Sequence, residues 1–301
     1  MKLTGVLFFP VTPFDSSGEV DTDALARHVV DGVEHGTGGV FAACGTGELT
    51  SLSRDEQALV VRTAVRETAG RVPVFAGAGG PLGTALDHAR AAADAGADGL
   101  LLLPPWLTQG PPEGLHAYVA AVASVGLPVI LYQRGPLVLS PAEAVELARI
   151  PGVVGLKDGL GDIDRIQRIV LAVRAAIGED FTFFNGLPNA ELTQPAYRAI
   201  GVDLYSSAAF AFVPEVAAAF NRALDEDPEL VGRLLTEFYA PLVELRSTVP
   251  GYAVSMVKAG LRLRGHNPGA VRPPLTDLAP EHLAELSRII DAGLALVGTA
   301  S

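Results

Sequence analysis

At residues 153–159 the chain reads Val153-Val154-Gly155-Leu156-Lys157-Asp158-Gly159, a short apolar run that ends in an amine. Runs that are apolar on both faces are typical of strands in a parallel sheet that is covered by helices on both sides. The amine is notable because the chain has only three lysines beside nineteen arginines. Arginine could supply a charge here, whereas only an amine that can lose its proton is able to attack a carbonyl group.

Two interpretations of Lys157 follow from its place at the end of this run. Burial disfavours the ammonium form and lowers the pKa of an amine from its usual value of ~10.4, which favours a Schiff-base nucleophile. In the other interpretation, the stem of Lys157 packs in the wall of the fold and its head reaches solvent or a carboxylate such as Asp158. The run alone leaves both interpretations open.

Seven other short apolar runs repeat the pattern. They span residues 6–11, 39–43, 72–76, 99–103, 128–132, 181–184 and 202–206. Helical segments lie between them, and Ser53 and Ser140 each precede a glutamate by three residues, which is the pattern of a helix capping box. Eight strands that alternate with eight helices predict a closed parallel (β/α)8 TIM barrel over residues 1–224. Residues 225–301 show helical segments and no strand pattern, and they predict a helical C-terminal extension.

Composition excludes several classes of function. The chain has 301 residues, of which 49% are hydrophobic, and its net charge of −12 disfavours a nucleic-acid partner. No uninterrupted apolar stretch is long enough to span a membrane, and no secretory leader is visible, so we expect a soluble cytoplasmic protein. The single cysteine, Cys44, is interpreted as a packed thiol in preference to a nucleophile. The six histidines lack metal-ligand spacing and no dinucleotide fingerprint is present, so neither a metal nor a cofactor is predicted.

Polar residues follow several of the predicted strands, at the barrel edge where active sites of this architecture lie. Thr46 and Gly47 offer a hydroxyl and backbone N–H groups to a carboxylate, although such a turn is also an ordinary loop. Tyr132 is a candidate for proton transfer beside Lys157, or a rim tyrosine with a solvated tip. Arg134 could bind a second carboxylate or could simply lie on the surface.

The last two strands end in further candidates for substrate binding. These are Asn185 and Gly186 after the seventh strand, and Ser206 and Ser207 after the eighth. The two serines could donate hydrogen bonds to substrate hydroxyls, or they could satisfy backbone groups at the end of the strand.

Taken in order, three motifs resemble the dihydrodipicolinate synthase and N-acetylneuraminate lyase superfamily of Schiff-base barrels. They are Gly45-Thr46-Gly47-Glu48, Tyr132 and Gly155-Leu156-Lys157-Asp158. The resemblance covers the whole chain. It implies that Lys157 forms an imine with a 2-oxo acid, that Tyr132 transfers protons, and that Thr46 and the Gly47 backbone hold the adjacent carboxylate. It also implies a homotetramer.

Other stretches are similar to the 5-dehydro-4-deoxyglucarate dehydratase branch of this superfamily. They are Phe8-Phe9-Pro10-Val11-Thr12-Pro13-Phe14, Phe183-Phe184-Asn185-Gly186-Leu187-Pro188 and Tyr205-Ser206-Ser207-Ala208. Gly45, and the sequence Pro104-Pro105-Trp106-Leu107 after strand four, depart from the synthases. The resemblance implies a lyase that removes water and carbon dioxide from a 2-oxo diacid without a cofactor or metal. An aldolase acting on a 2-keto-3-deoxy sugar acid and a non-catalytic sugar-acid-binding barrel remain the alternatives.

Overall fold

The computed structural model describes residues 2–106 and 110–298, which form a closed barrel of eight parallel strands surrounded by helices. The strands are β1 (Val6–Phe8), β2 (Val40–Ala42), β3 (Val74–Ala78), β4 (Gly99–Leu102), β5 (Val129–Gln133), β6 (Val153–Asp158), β7 (Thr182–Asn185) and β8 (Leu204–Ser207). Each strand pairs with the next, and β8 pairs with β1 to close the barrel. The predicted TIM barrel is therefore confirmed, and every strand overlaps its predicted run.

Prolines explain where two strands differ from their predicted ends. Strand β1 stops at Phe8, before Pro10, and β3 starts at Val74, after Pro73. Proline has no N–H with which to extend a ladder, so the paired segment is shorter than the apolar run at these points.

Eight helices cover the outside of the barrel. They are α1 (Thr22–Glu34), α2 (Arg54–Thr68), α3 (Leu82–Asp94), α4 (Pro112–Ala123), α5 (Pro141–Ala148), α6 (Ile163–Ile177), α7 (Gln194–Ala199) and α8 (Pro214–Glu226). The capping boxes predicted at Ser53 and Ser140 are both present, at the starts of α2 and α5.

The barrel interior is filled by aromatic side chains. The ring centres of Phe9 and Phe41 lie 4.6 Å apart, and those of Phe41 and Phe75 lie 5.1 Å apart. All three side chains are buried. Because these buried rings lie beneath the carboxyl ends of the strands, a polar group placed above them is desolvated from below.

The C-terminal extension packs against the barrel helices. It contains α9 (Pro228–Leu234), a π-helical turn (Leu235–Tyr239), α10 (Ala240–Ser247), α11 (Tyr252–Leu263) and α12 (Pro280–Leu296). The π turn separates α9 from α10, and Pro241, which has no N–H to donate to the turn before it, is the second residue of α10. The last barrel helix, α8, runs past residue 224, and a division of the chain at that point remains a prediction. None of the described helices is long and apolar enough to cross a membrane.

Candidate active site

A cavity of about 140 Å³ opens at the carboxyl end of the barrel strands. Seven of the nine residues predicted for the site line it, namely Thr46, Tyr132, Arg134, Lys157, Gly186, Ser206 and Ser207. These side chains come from β2, β5, β6, β7 and β8 or from the loops that follow them. The sequence prediction that the strand ends converge on one site therefore agrees with the geometry.

A larger cavity of about 520 Å³ lies beside the loops after β3, β4 and β5. It is lined mainly by apolar side chains such as Trp106, Leu115 and Leu137, and the carboxyl group of Glu143 belongs to the capping box of α5. Because Lys157 lies in the smaller cavity, we place the chemistry there. Leu107, part of the sequence used to distinguish this chain from the synthases, lies outside the described residues.

Lys157 is buried against aromatic rings and has no acidic partner among the described residues. Its Nζ lies 3.9 Å from the ring centre of Phe9 and 4.4 Å from that of Tyr132. Burial lowers the pKa of the amine to about 7; Cys44 acts against this shift, and the positive charge of Arg134 acts with it. A substantial fraction of the amine is therefore neutral near pH 7, as nucleophilic attack requires.

The alternative of a lysine that pairs with Asp158 does not fit the geometry. Asp158 accepts a hydrogen bond from Gln133 Nε2 at 2.7 Å and another from the hydroxyl of Tyr197. Its oxygens also accept the backbone N–H groups of Leu160 and Gly161, at 3.2 and 3.3 Å. The carboxylate of Asp158 thus stabilises the loop after β6 through these hydrogen bonds. It forms no ion pair with Lys157, which lines the cavity.

Two glycines make room for the reactive pair. A Cβ atom at Gly186 would lie 2.3 Å from Cγ of Lys157, and one at Gly159 would lie 2.7 Å from Cε2 of Tyr132. Tyr132 and Lys157 are partners in register on β5 and β6, and the Tyr132 hydroxyl donates a hydrogen bond to the Gly186 carbonyl at 3.0 Å. The backbone therefore holds the phenol and the amine side by side.

Arg134 turns toward the cavity. Its Nη1 donates to the Tyr132 hydroxyl at 3.4 Å, and its guanidinium lies 5.8 Å from the centre of that ring. Burial raises the pKa of Tyr132, while Arg134 acts to lower it. The phenol is consequently protonated at neutral pH, which suits a group that passes a proton on.

The remaining predicted residues divide into two groups. Thr46 and Ser206 reach the cavity wall, whereas Ser207 borders the cavity but is fully buried and donates its hydroxyl to Glu191. Gly47 lies behind that wall, where its carbonyl accepts the Thr12 hydroxyl at 2.7 Å. Asn185 is fully buried away from the cavity, and its amide nitrogen donates to Ala190 and to side chains of α7 and the turn before it. Asn185 thus stabilises the loop after β7 through these hydrogen bonds, and we assign it no contact with substrate.

Sequence reasoning missed two polar residues that line the cavity, Arg246 and Asn189. Arg246 belongs to α10, and its Nε is buried without a hydrogen-bond partner in the described ranges. Burial lowers the pKa of Arg246, and Arg134 acts in the same direction. Asn189 is 3% exposed, with neither amide atom partnered by a described residue, and it adopts a left-handed backbone with φ 61°. Asn189 lies four residues beyond the end of β7, and this position could have identified it as a candidate site residue. No feature of the sequence around Arg246 indicated a place in the site.

Neither arginine forms an ion pair with a carboxylate of residues 2–106 or 110–298. Two guanidinium groups that share one cavity repel each other unless an anion lies between them. Together with the Thr46 turn, they give the cavity two candidate carboxylate sites, one from the barrel and one formed jointly with the extension.

Cys44 and the histidines add no further chemistry. The thiol is fully buried and burial raises its pKa to about 12, which supports the interpretation of a packed side chain. No group of three or more His, Cys, Asp or Glu side chains is arranged to hold a metal ion in the part of the chain that the structure describes. The prediction that no metal or cofactor is needed remains a prediction.

A parallel barrel with a buried, deprotonatable lysine beside a tyrosine defines a class of lyases that act through a covalent imine. The chain belongs to the dihydrodipicolinate synthetase family, whose model matches residues 2–293. A solved dihydrodipicolinate synthase from Acinetobacter baumannii, complexed with pyruvate, is similar to this chain with a TM-score of 0.84 and 28% sequence identity. The match covers 99% of this chain and 100% of that chain.

Other relatives are more similar in sequence. A Streptomyces coelicolor protein named "Probable 5-dehydro-4-deoxyglucarate dehydratase 1" is 56% identical over 297 residues, covering 98% of this chain and 94% of that protein. An Azotobacter vinelandii protein named "Probable 5-dehydro-4-deoxyglucarate dehydratase" is 46% identical, covering 95% of this chain and 94% of its own length. The similarity therefore extends over nearly the full length of both proteins.

Proposed function

We propose that the protein is a decarboxylating 5-dehydro-4-deoxyglucarate dehydratase, which produces 2,5-dioxopentanoate, water and carbon dioxide. Two lines of argument support this. The relatives that carry this name are similar over 98% of the chain. The observation that carries the proposal is the pair Arg134 and Arg246 in the cavity of Lys157, neither of which forms an ion pair with a described carboxylate, since a diacid needs a second anion site.

The first step is imine formation. The neutral amine of Lys157 attacks C5, the keto carbon, while the adjacent C6 carboxylate binds at the Thr46 turn. The carbinolamine then loses water to give a protonated imine, with Tyr132 as the group that transfers protons. The C1 carboxylate, at the far end of the six-carbon chain, lies between Arg134 and Arg246.

The later steps use the imine as an electron sink. Loss of a proton from C4 gives an enamine, whose electron pair expels the C3 hydroxyl as water. The resulting conjugated iminium accepts the pair released from the C1–C2 bond as carbon dioxide departs. Tautomerisation of the C2 enol to an aldehyde and hydrolysis of the imine release the product and regenerate Lys157.

Incubation of the protein with 5-dehydro-4-deoxyglucarate tests this function directly. We expect one carbon dioxide for each substrate consumed, measured by gas trapping, with 2,5-dioxopentanoate detected by mass spectrometry. Pyruvate and a second three-carbon fragment, formed without carbon dioxide, would instead identify an aldolase that breaks the C3–C4 bond. If the substrate binds but neither product forms nor borohydride traps an adduct, the protein is a sugar-acid-binding barrel.

Arg246 is expected to govern recognition of the distal carboxylate. An Arg246→Met variant loses a charge-assisted hydrogen-bonded contact worth about 1.5–3 kcal/mol, so KM for the diacid should rise ~10–100-fold. Arg246→Lys keeps the charge without the bidentate geometry and should lie between that variant and the wild type.

Two ligands that form the imine but have no hydroxyl to lose separate this role of Arg246 from a general effect on the fold. The six-carbon diacid 2-oxoadipate and the monoacid 2-oxohexanoate differ only in the distal carboxylate. We expect Arg246→Met to weaken imine formation with 2-oxoadipate and to leave 2-oxohexanoate unaffected, measured by borohydride trapping. Equal losses with both ligands would rule out a distal carboxylate site at Arg246.

We also propose that the protein is cytoplasmic and that it forms a homotetramer. The absence of a membrane-spanning helix among the described residues is compatible with a cytoplasmic enzyme. A homotetramer is the assembly implied by the resemblance to the superfamily, and light scattering at several protein concentrations measures it.

A further inference from the structure

The first turn of α11 opens onto the cavity of Lys157. Ala253 and Val254 are the second and third residues of this helix, and both line the cavity. Ala253 is exposed and Val254 is half-buried, so the helix is open on this side. The N–H groups of a first helical turn have no acceptor within their own helix. Neither Ala253 nor Val254 donates its N–H to another acceptor among the described residues.

The sequence of this turn provides nothing to satisfy those N–H groups. The residue before the helix is Gly251, which has no side chain with which to cap it, and the first turn holds no acidic residue. Gly251 has a φ of 94°, and a Cβ atom there would lie 3.0 Å from Cδ2 of Leu275, so a larger capping residue is disfavoured. The positive end of the helix dipole therefore faces the cavity without a counter-charge.

The charged groups around the cavity are all positive. Arg134, Lys157 and Arg246 line it, and no aspartate or glutamate is among its described lining residues, although the chain has 34 acidic and only 22 basic residues. Nε of Arg246 is buried without a hydrogen-bond partner in the described ranges. The N-terminus of α11 adds a partial charge of about +0.5 to the same space. An anion in the cavity offsets the repulsion among these groups.

A buried amide in the same cavity wall points to a ligand independently. Asn189 is 3% exposed and lines the cavity, and neither atom of its amide has a partner among the described residues. A buried amide without partners costs free energy, which a hydrogen-bonding ligand offsets. Because the cavity holds only about 140 Å³, a six-carbon diacid attached to Lys157 occupies most of it. The polar groups of such a ligand come close to the end of α11.

Two contacts hold this end of α11 in place. The hydroxyl of Tyr252, the first residue of the helix, accepts the Ala279 N–H at 3.1 Å and lies 3.0 Å from Nδ1 of His282. Further along the same helix, Lys258 pairs with Glu48, which follows the Thr46 turn. The free N–H groups are therefore fixed relative to the barrel before a ligand arrives, and little entropy is lost on binding.

We propose that the N-terminus of α11 binds the distal carboxylate of the substrate, with the N–H groups of Ala253 and Val254 donating beside the guanidinium of Arg246. This inference rests on the proposed function, because it completes the second anion site that a diacid requires. The C-terminal extension thereby selects 2-oxo diacids over 2-oxo monoacids. Since the distal carboxylate leaves as neutral carbon dioxide, these donors stabilise the bound substrate more than the transition state of decarboxylation, and they govern KM more than kcat.

The test removes one N–H and keeps the helix. Ala253→Pro places proline at the second position of α11, which Pro241 already occupies in α10. We expect the concentration of 2-oxoadipate that half-saturates borohydride trapping to rise about 10-fold or more, and that of 2-oxohexanoate to change by less than about threefold. With 5-dehydro-4-deoxyglucarate, KM should rise by a similar factor while kcat stays within about threefold of the wild type.

Ala142→Pro is the matched control. Ala142 is an exposed alanine at the second position of α5, whose first turn does not line the cavity of Lys157. This variant should trap both ligands as the wild type does. Unchanged trapping of 2-oxoadipate by Ala253→Pro would overturn the proposal, and so would equal losses with 2-oxoadipate and 2-oxohexanoate.

A crystal structure of the wild type with the reduced 2-oxoadipate adduct tests the site without a variant. We expect a distal carboxylate oxygen within about 3.2 Å of the backbone nitrogen of Ala253 or Val254. A distal carboxylate that contacts only the arginines would overturn the proposal. Neither trapping nor the crystal structure needs turnover. A wild type that forms this contact but releases no carbon dioxide from 5-dehydro-4-deoxyglucarate would contradict the proposed function and support the anion site, so the two failures are distinguishable.

Discussion

A Lys157→Met enzyme is expected to release carbon dioxide from 5-dehydro-4-deoxyglucarate on the order of 10⁴-fold more slowly than the wild type, or worse, as in other enzymes that lose a covalent nucleophile. The thioether fills the aromatic pocket around Phe9 and Tyr132 but cannot form an imine. Both later steps depend on that imine as an electron sink, so the loss is not confined to one of them. Gas trapping under single-turnover conditions gives the rate.

Lys157→Arg provides the control for charge. If the positive charge were all that mattered, arginine would preserve most of the activity; because guanidinium is not deprotonated at neutral pH, we expect it to be as inactive as methionine. Borohydride reduction with substrate should add mass to the wild type and to neither variant. A residual adduct in either variant would assign the imine to a different lysine.

The low lysine count makes the mapping of the adduct unambiguous. The other two lysines are Lys2, which is exposed, and Lys258, which is buried in an ion pair. A Lys2→Met variant should trap substrate as the wild type does. Because the pKa of Lys157 is lowered to about 7, trapping should also grow faster as pH rises through 7, where the free amine becomes the main form.

The sequence was sufficient to predict which strand ends converge, but not which way every side chain points. Lys157 and Tyr132 are in register on neighbouring strands, and Phe184 of β7 is in register with Lys157, so all three point into the barrel. The next residue along β7, Asn185, is in register with Asp158, and its side chain therefore points outward. The register depends on how the loops and helices pack, and a local apolar run does not encode it.

Local sequence patterns also could not predict which residues of the C-terminal extension contact the barrel. Arg246 lies 89 positions after Lys157 in the chain, in a short helix whose sequence does not indicate which part of the barrel it contacts. Glu48, within the motif that carried the resemblance, had no assigned role until its partner Lys258 was seen. Both cases need the tertiary fold, which brings α10 and α11 over the carboxyl end of the barrel.

Breaking the ion pair between Glu48 and Lys258 is expected to cost more stability than breaking any other polar contact in this part of the fold. Lys258 Nζ lies 2.8 Å from Glu48 Oε1, with both side chains at most 1% exposed, and Nζ also donates to the Ala270 carbonyl at 2.8 Å. The other Glu48 oxygen accepts the backbone N–H of Arg272 at 2.9 Å. Three chain segments therefore meet at one buried pair of charges.

Lys258→Met should lower the free energy of unfolding by about 3–5 kcal/mol, because it leaves the Glu48 carboxylate buried without its cation. Urea denaturation followed by circular dichroism measures this loss. Arg233→Met, which removes an exposed pair between Arg233 of α9 and Glu237 of the π turn, is the matched control and should change stability by only about 0–1 kcal/mol. A loss for Lys258→Met as small as that of the control would show that the buried pair contributes little.

The double variant Lys258→Met/Glu48→Leu separates the loss of the ion pair from the cost of leaving one buried charge without its partner. If most of the cost comes from an uncompensated carboxylate, the double variant should regain much of the lost stability, since two apolar side chains replace both charges. Activity need not return with it. Glu48 follows the Thr46 turn directly, and Lys258 belongs to the helix next to that of Arg246, so the pair connects the two candidate carboxylate sites. A stable double variant with a raised KM for the diacid would show that this link sets the spacing between them.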